Sequence, residues 1–183
     1  MPVQIGTLLL CAMKSQQTFA IDISLQNGFV KMDLNAKNGR KVNSMENIIA
    51  EFRGKYFFLS NFYSAPVTYL GKTFKNNEAA FQSAKCPERS DEFLNLNPSD
   101  AKKLGRHVPL RNDWEAIKEV VMYDICRAKF TQNQDLAQLL IETGSATLIE
   151  GNTWGDRVWG VCDGAGENRL GKILMQIRAE MKE

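Results

Sequence analysis

Glu78, Phe81, Gln82 and Lys85 recur at i, i+3, i+4 and i+7 in Asn77-Glu78-Ala79-Ala80-Phe81-Gln82-Ser83-Ala84-Lys85, the spacing that places side chains on one helical face. That face offers a carboxylate, an aromatic platform, an amide and an amine. A face built only for packing would be apolar, and one built only for water has little use for a phenyl ring beside an amide. Glu78 and Lys85 stand about two turns apart, roughly 10 Å of rise, which leaves room for a small sugar or base. If apolar rings bury them, Lys85 shifts toward a free amine and Glu78 toward a general acid. The alternative is a solvated Glu and Lys flanking a core Phe.

Two more stretches carry chemistry. Trp154-Gly155-Asp156-Arg157-Val158-Trp159-Gly160 combines indole faces for stacking, a carboxylate and glycines that admit close backbone approach; its bland reading is two core tryptophans around a turn. Gly164-Ala165-Gly166-Glu167-Asn168-Arg169-Leu170-Gly171 opens a helix, where free amides and Arg169 suit a phosphate. It lacks the Gly-Lys-Ser/Thr ending of a P-loop and no dinucleotide-type turn precedes it. Arg53, Arg106 and Arg111 are further candidate phosphate partners, although a solvated surface role is the favoured reading of each taken singly.

Composition removes the commoner alternatives. The chain has one histidine, His107, so a His-rich metal site is excluded and any Ser-His or Cys-His pair must use that residue. His107 lies at a helix exit, a surface setting. Cys11, Cys86, Cys126 and Cys162 are too scattered for a zinc site or a secreted disulfide scaffold and read as reduced thiols. No metal or other cofactor is implied. The longest apolar run, Leu8-Leu9-Leu10-Cys11-Ala12-Met13, is far short of a bilayer span and lacks a basic leader, so a cytoplasmic location without a membrane partner is expected. A net charge of +2 selects no partner.

The elements that must position these residues follow from pattern. The 183 residues and 44% hydrophobic content fit one main core with an appendage. In residues 1–44, Phe19, Ile21, Ile23 and Leu25 alternate with polar residues up to Asn27-Gly28, after which Val30, Met32 and Leu34 alternate again. This predicts a hairpin over 18–35, with Leu25 opposite Val30, Ile23 opposite Met32 and Ile21 opposite Leu34. Such a hairpin needs something to dock on. Lys37 to Lys41 reads as a polar linker, and Met45 is a second place where translation could begin.

From 45 to 183 the pattern predicts a catalytic domain. Ile48, Ile49 and Phe52 suggest a short strand, and Val67 to Phe74 a hairpin turning near Gly71. Asn77 is the expected cap of the opening helix and Pro87 its stop. Asn97-Pro98 and Gly105 bound a short helix. Asn112 with Glu115 resembles a capping box ahead of a stripe of Trp114, Ile117, Val121, Ile125 and Ala128. Leu136, Leu139 and Leu140 should face the core of a helix stopped by Gly144, and Leu170, Ile173, Leu174, Ile177 and Met181 mark the last one. The fold class is α+β, predominantly helical in a single domain, with small antiparallel strands and the N-terminal hairpin extension.

From about Ile49 to Met181 the chain resembles the NADAR family, which includes the YbiA-like N-glycosidases. The resemblance rests on Phe58-Leu59-Ser60-Asn61-Phe62, Glu78 with Phe81-Gln82 and Lys85, Leu104-Gly105-Arg106, Leu110-Arg111-Asn112-Asp113-Trp114, Lys129-Phe130, Asp156-x-x-Trp159-Gly160 and Gly166-x-Asn168-Arg169-Leu170-Gly171, in that order. Residues 1–44 lie outside it. It implies cleavage of a ribose C1–N bond, either in ADP-ribose attached to guanine of nucleic acid or in the ribosylamino-pyrimidine phosphates of riboflavin synthesis. No obligate protein partner is implied.

On that basis two routes stand open through an oxocarbenium-like state. Glu78 and Asp156 divide charge stabilisation and protonation of the base, or Lys85 attacks C1 and forms a Schiff base. Asn61, Phe62, Phe81, Gln82, Arg106, Trp159, Gly160, Asn168 and Arg169 are the expected substrate-binding residues, with Trp159 against the base and Asn61, Arg106, Asn168 and Arg169 on ribose and phosphate. A non-catalytic sensor of ADP-ribose or a related nucleotide is the alternative, with a nucleic-acid-binding module a distant third.

Overall fold

A computed structural model describes the backbone of residues 4–10, 19–26, 29–35, 41–44 and 47–182, with side chains over 47–182. Two compact units divide the chain: residues 1–48 with 145–147, and residues 49–144 with 148–183. The first holds a four-stranded sheet in the order β1-β2-β3-β4, from β1 (Gln4–Leu10), β2 (Phe19–Gln26), β3 (Phe29–Asn35) and β4 (Lys41–Ser44). β2 and β3 are antiparallel, with Leu25 opposite Val30, Ile23 opposite Met32 and Ile21 opposite Leu34. The Asn27-Gly28 turn, Cys11 and the linker residues before Lys41 lie outside the described residues, whereas Lys41 itself begins a strand.

The second unit is mixed α+β and about half helical, rather than predominantly so. After β5 (Ile48–Ile49), which stops short of Phe52, a 3-10 helix over Gly54–Leu59 leads into β6 (Ser64–Tyr69) and β7 (Lys72–Asn76). These two strands form an antiparallel hairpin with Tyr69 opposite Lys72. Leu70 and Gly71 both take positive φ, 48° and 76°, as a two-residue turn compatible with strand twist requires.

β7 runs directly into α1 (Asn77–Ser83), and the cap is Asn76, not Asn77. Asn76 is the residue still in extended conformation, so its Oδ1 can accept from Ala79 N–H at 2.8 Å, while Asn77 is already the first helical residue. All seven residues of α1 are buried, so the helix has no solvent face. It packs against β6, β7, α2 (Pro98–Leu104), α3 (Trp114–Gln132) and a 3-10 segment, Pro87–Phe93, that Pro87 starts.

Asn97 caps α2 and Gly105 ends it. α3 starts after Asp113 with no side-chain cap, and Asn112 and Glu115 form no capping box. Its buried stripe runs through Trp114, Val121, Met122, Ile125, Cys126, Lys129 and Phe130. α4 (Gln134–Glu142) buries Leu136 and Leu140 but leaves Leu139 40% exposed, and Gly144 follows with φ 65°. β8 (Thr147–Leu148) pairs with β5, and α5 (Arg169–Glu180) closes the unit on Leu170, Leu174 and Ile177.

One small sheet departs from the antiparallel expectation. β9 (Gly151–Asn152) and β10 (Val161–Cys162) are parallel. The loop between them doubles back through Asp156, pinned by Asn152: its Nδ2 donates to Asp156 O at 2.7 Å and its Oδ1 accepts from Asp156 N–H at 3.0 Å. No helix among the described residues is long and apolar enough to cross a membrane.

Candidate active site

A cavity of about 870 Å³ in the second unit is walled by α1, α2, α3, the segment after the first 3-10 helix and the Glu150–Trp159 stretch. Glu78, Phe81, Gln82 and Lys85 all line it, so the four-residue spacing in the sequence becomes one wall. Glu78 is 7% exposed, and burial pushes its carboxyl pKa upward. The Gln82 amide, which donates to Glu78 Oε1 at 2.8 Å, opposes that shift, as do the charges of Lys102 and Lys85.

Gln82 is itself held by an absence of bulk. A Cβ at Gly105 would stand 2.0 Å from Gln82 Oε1, so the end of α2 must be glycine for the amide to lie flat against it. The same glycine's carbonyl accepts from Lys85 Nζ at 3.2 Å. Lys85 is half-buried with Nζ 5.9 Å from the centre of the Trp114 ring. Burial lowers the amine pKa, Glu78 opposes that, and Arg106 and Lys102 reinforce it.

The aromatic side of the cavity is a packed trio. Phe81 lies 5.0 Å from Trp114 in tilted contact and 5.4 Å from Trp159, edge to face. Asp156 meets the same space, with Oδ1 accepting from Val158 N–H at 3.0 Å and Trp159 N–H at 2.9 Å. Those bonds fix the carboxylate and the tryptophan to each other. Asn61, Phe62 and Arg106 also line the cavity. Asn61 is buried, with its Nδ2 donating to Met122 Sδ at 3.2 Å and its Oδ1 accepting from Asn77 Nδ2 at 3.3 Å. Lys102 Nζ stands 5.7 Å from the centre of the Phe62 ring.

Three expected substrate-binding residues are elsewhere. Gly160 permits close backbone packing, since a Cβ there would lie 2.2 Å from Glu150 O. Asn168, at φ 52°, uses both ends of its amide on the protein: Oδ1 accepts from Glu150 N–H at 3.0 Å and Nδ2 donates to Leu148 O at 2.8 Å. Arg169 pairs with Glu119 at 2.6 Å and Glu167 at 2.7 Å beside a separate shallow depression. Of the glycine-rich entrance to α5, Leu170 therefore reaches the cavity while Asn168 and Arg169 do not line it. Of the other arginines, Arg53 and Arg106 reach the cavity, while Arg111 is paired with Asp113 at 2.6 Å. His107 bonds to Lys103 O through Nδ1 and does not line the cavity.

Sequence pattern alone missed Glu150, Lys102 and the cavity role of Trp114. Trp114 read as core because it heads a helical stripe, and it is indeed buried while its ring forms cavity wall. Glu150 had only a faint sign, a carboxylate between Leu148-Ile149 and Gly151. Burial, then the nearby Asp156, pushes its pKa up to about 7 against Arg53 and Lys102. Among the described residues no group of three or more His, Cys, Asp or Glu is arranged to hold a metal ion.

The NADAR domain model matches residues 50–182, which takes in every side chain of the cavity. The chain belongs to the NADAR family. Its NADAR domain is 39% identical over 132 residues to N-glycosidase YbiA of Escherichia coli strain K12, covering 69% of this chain and 82% of YbiA. It is 37% identical over 132 residues to riboflavin biosynthesis protein VVA0006 of Vibrio vulnificus, spanning 36% of that longer protein. The fold matches the NMR structure of E. coli YbiA with a TM-score of 0.67 at 35% identity, covering 76% of this chain and 88% of the other.

Proposed function

We propose that this NADAR protein is an N-glycosidase that hydrolyses the bond between a ribose C1 and a base nitrogen. One observation carries the reading: Glu78 and Lys85 share a single aromatic-walled cavity, and burial displaces both toward their neutral forms, an acid and a free amine. Relatives named N-glycosidases support the reaction class. Two substrate groups suit the cavity: ADP-ribose on guanine of nucleic acid, and a ribosylamino-pyrimidine phosphate, the latter favoured by a relative named for riboflavin biosynthesis. Both present a base for the Phe81, Trp114 and Trp159 rings and phosphate for Lys102, Lys103 and Arg106 at the cavity wall.

Chemistry begins with the Lys85 amine. Its lone pair forms a bond to C1 as the C1–N bond to the base breaks, and the departing nitrogen takes the electron pair and a proton. The ring C1–O bond then opens, its oxygen taking the proton given up by the amine to become a hydroxyl, and an iminium links C1 to Lys85. Water adds to C1, the amine is expelled, and the free sugar recloses. Glu78, whose charge acts on the amine, manages its proton, while Asp156, with Oδ1 fixed by two backbone amides, faces the developing positive charge on the sugar.

Incubation with ADP-ribosylated guanine DNA and, separately, with a ribosylamino-pyrimidine phosphate tests the proposal by chromatography of released base. Borohydride added during turnover should attach the sugar to the protein at Lys85, and Lys85→Ala should lose the adduct and about a hundredfold or more of the turnover. Turnover without a trapped adduct, unimpaired in Lys85→Ala, would transfer the reaction to the carboxylate route. Release of base from neither substrate would reject the function.

A further inference from the structure

Four carboxylates line the cavity, and they are not equivalently placed: Glu115 lies at an exposed edge, paired with Lys118. Glu78 has its Oε1 bonded to Gln82, and Asp156 has its Oδ1 bonded to two backbone amides. Glu150 Oε2 is buried and, among the described residues, meets no hydrogen-bond donor. A buried carboxylate oxygen without a donor is costly, and the cost vanishes if the group carries a proton to give to something in the cavity.

The backbone of Glu150 is held unusually firmly for a residue outside any helix. Its N–H donates to Asn168 Oδ1 at 3.0 Å, and its carbonyl accepts from Val161 N–H at 2.9 Å. Gly160 lets that carbonyl approach, since any Cβ there would collide with it at 2.2 Å. Asn168, which the resemblance suggested for ribose and phosphate, and Gly160 are thus parts of the mount of Glu150. A side chain on such a mount is pre-positioned, as proton transfer requires.

The charges around Glu150 differ in part from those around the amine. Asp156 of the β9–β10 loop, Arg53 ahead of the first 3-10 helix, Lys102 of α2 and Glu78 of α1 act on Glu150. Lys85 is acted on by Glu78, Arg106 and Lys102. Glu78 and Lys102 are common to both sets, whereas Asp156 and Arg53 act on Glu150 and Arg106 on the amine. Displacement at C1 needs the nucleophile and the departing base on opposite sides of that carbon. Glu78 serves the amine side, which leaves the leaving-group side without an acid unless Glu150 supplies it.

Resting on the N-glycosidase reading above, we propose that Glu150 is a catalytic residue, the general acid that protonates the departing base nitrogen. The proton moves from Glu150 to the nitrogen as the C1–N bonding pair arrives there, leaving Glu150 as carboxylate. In the second half that carboxylate takes the proton from the water that adds to C1, which returns Glu150 to its starting form. Burial with Asp156 alongside, which raises its pKa to about 7, suits a group that must give and then regain a proton.

The test uses the full chain, whichever of the two substrates wild type turns over, and an analogue of it bearing a nitro group on the base. An electron-poor base departs as an anion and needs no acid. Glu150→Gln should slow base release from the ordinary substrate about 10²–10⁴-fold yet slow the nitro analogue less than about tenfold. Wild-type kcat/KM should fall as pH rises through about 7, where the acid is lost, and Glu150→Gln should lack that limb. Glu150→Asp, which keeps a carboxyl one methylene farther back, should recover part of the rate and restore the limb; it also carries the test if the glutamine variant does not fold. Equal slowing of both substrates, or an unchanged pH profile with near-normal rates, overturns the assignment while leaving the N-glycosidase reading intact. Absence of base release by wild type overturns the N-glycosidase reading and this assignment with it.

Discussion

Lys129 makes the sharpest physical prediction in the molecule. It is fully buried in α3, and among the described contacts its amine meets no carboxylate: Nζ donates to Phe58 O at 2.6 Å and Ser60 O at 2.9 Å, with the Tyr63 and Phe130 rings at 5.3 and 5.2 Å. Burial lowers its pKa from 10.5 to about 8. Between those two pH values the unfolded chain binds a proton at Lys129 that the native protein does not, so stability rises with pH across the window and falls as pH drops toward 8. At ~1.4 kcal/mol for each pH unit, the ceiling is about 3 kcal/mol. Lys129→Met removes that proton from both states. Urea unfolding of wild type and Lys129→Met at pH 7.5 and pH 10 should therefore show wild type gaining on the variant by about 2–3 kcal/mol at the higher pH, and alkaline effects elsewhere cancel in the difference. Cys126, next to Lys129, acts in the opposite sense, because burial pushes its thiol up to about 12 while the unfolded thiol ionises near 9, and this loss is shared by both proteins and cancels. A difference that is independent of pH would refute the buried, carboxylate-free amine. The residue matters to the site because the two carbonyls it holds, of Phe58 and Ser60, belong to the stretch that leads directly into Asn61 and Phe62 of the cavity wall.

Two further substitutions probe the wall itself. Gly105→Ala keeps an allowed backbone, since φ is −63°, but its methyl would overlap Gln82; base release should fall at least about tenfold as the Gln82–Glu78 bond is displaced, with a cost of about 1–3 kcal/mol in urea unfolding. Phe81→Ala strips one ring from the trio with Trp114 and Trp159 and should cost about 3 kcal/mol, with the change in tryptophan fluorescence reporting that both indoles lost a neighbour.

What was legible in the sequence had local causes. The Leu70-Gly71 turn and the Asn97 and Gly105 helix ends follow from the chemistry of a few adjacent residues, and the structure has them. The spacing of Glu78, Phe81, Gln82 and Lys85 is equally local, and one wall results. Caps were harder where two polar residues compete. Asn76 and Asn77 differ only in which is still extended, and that is decided by where β7 ends. Asn168 and Arg169 misled because a glycine-rich helix start with an arginine reads as an anion site, whereas here the amide bridges Leu148 and Glu150 and the guanidinium pairs with Glu119 and Glu167. Glu150 was illegible for the complementary reason. Nothing within a few residues announces a lone carboxylate beside a two-residue strand, and its neighbours Glu78, Lys102 and Arg53 come from distant segments.

Those distant neighbours shift an amine and an acid in one cavity in opposite directions, each toward its neutral form. Cations from α2 and its exit, Lys102 and Arg106, add to burial in lowering the Lys85 pKa. Carboxylates, Asp156 and Glu78, add to burial in keeping the proton on Glu150. Desolvation shifts both groups toward their neutral forms, and the surrounding charges reinforce it with opposite signs, against Glu78 at the amine and against Arg53 and Lys102 at the acid. Glu78 and Lys102 act on both groups, each adding to one shift while tempering the other. The balance at each group is therefore set by which charges each element brings to it, and α1 and α2 supply the residues that couple the two.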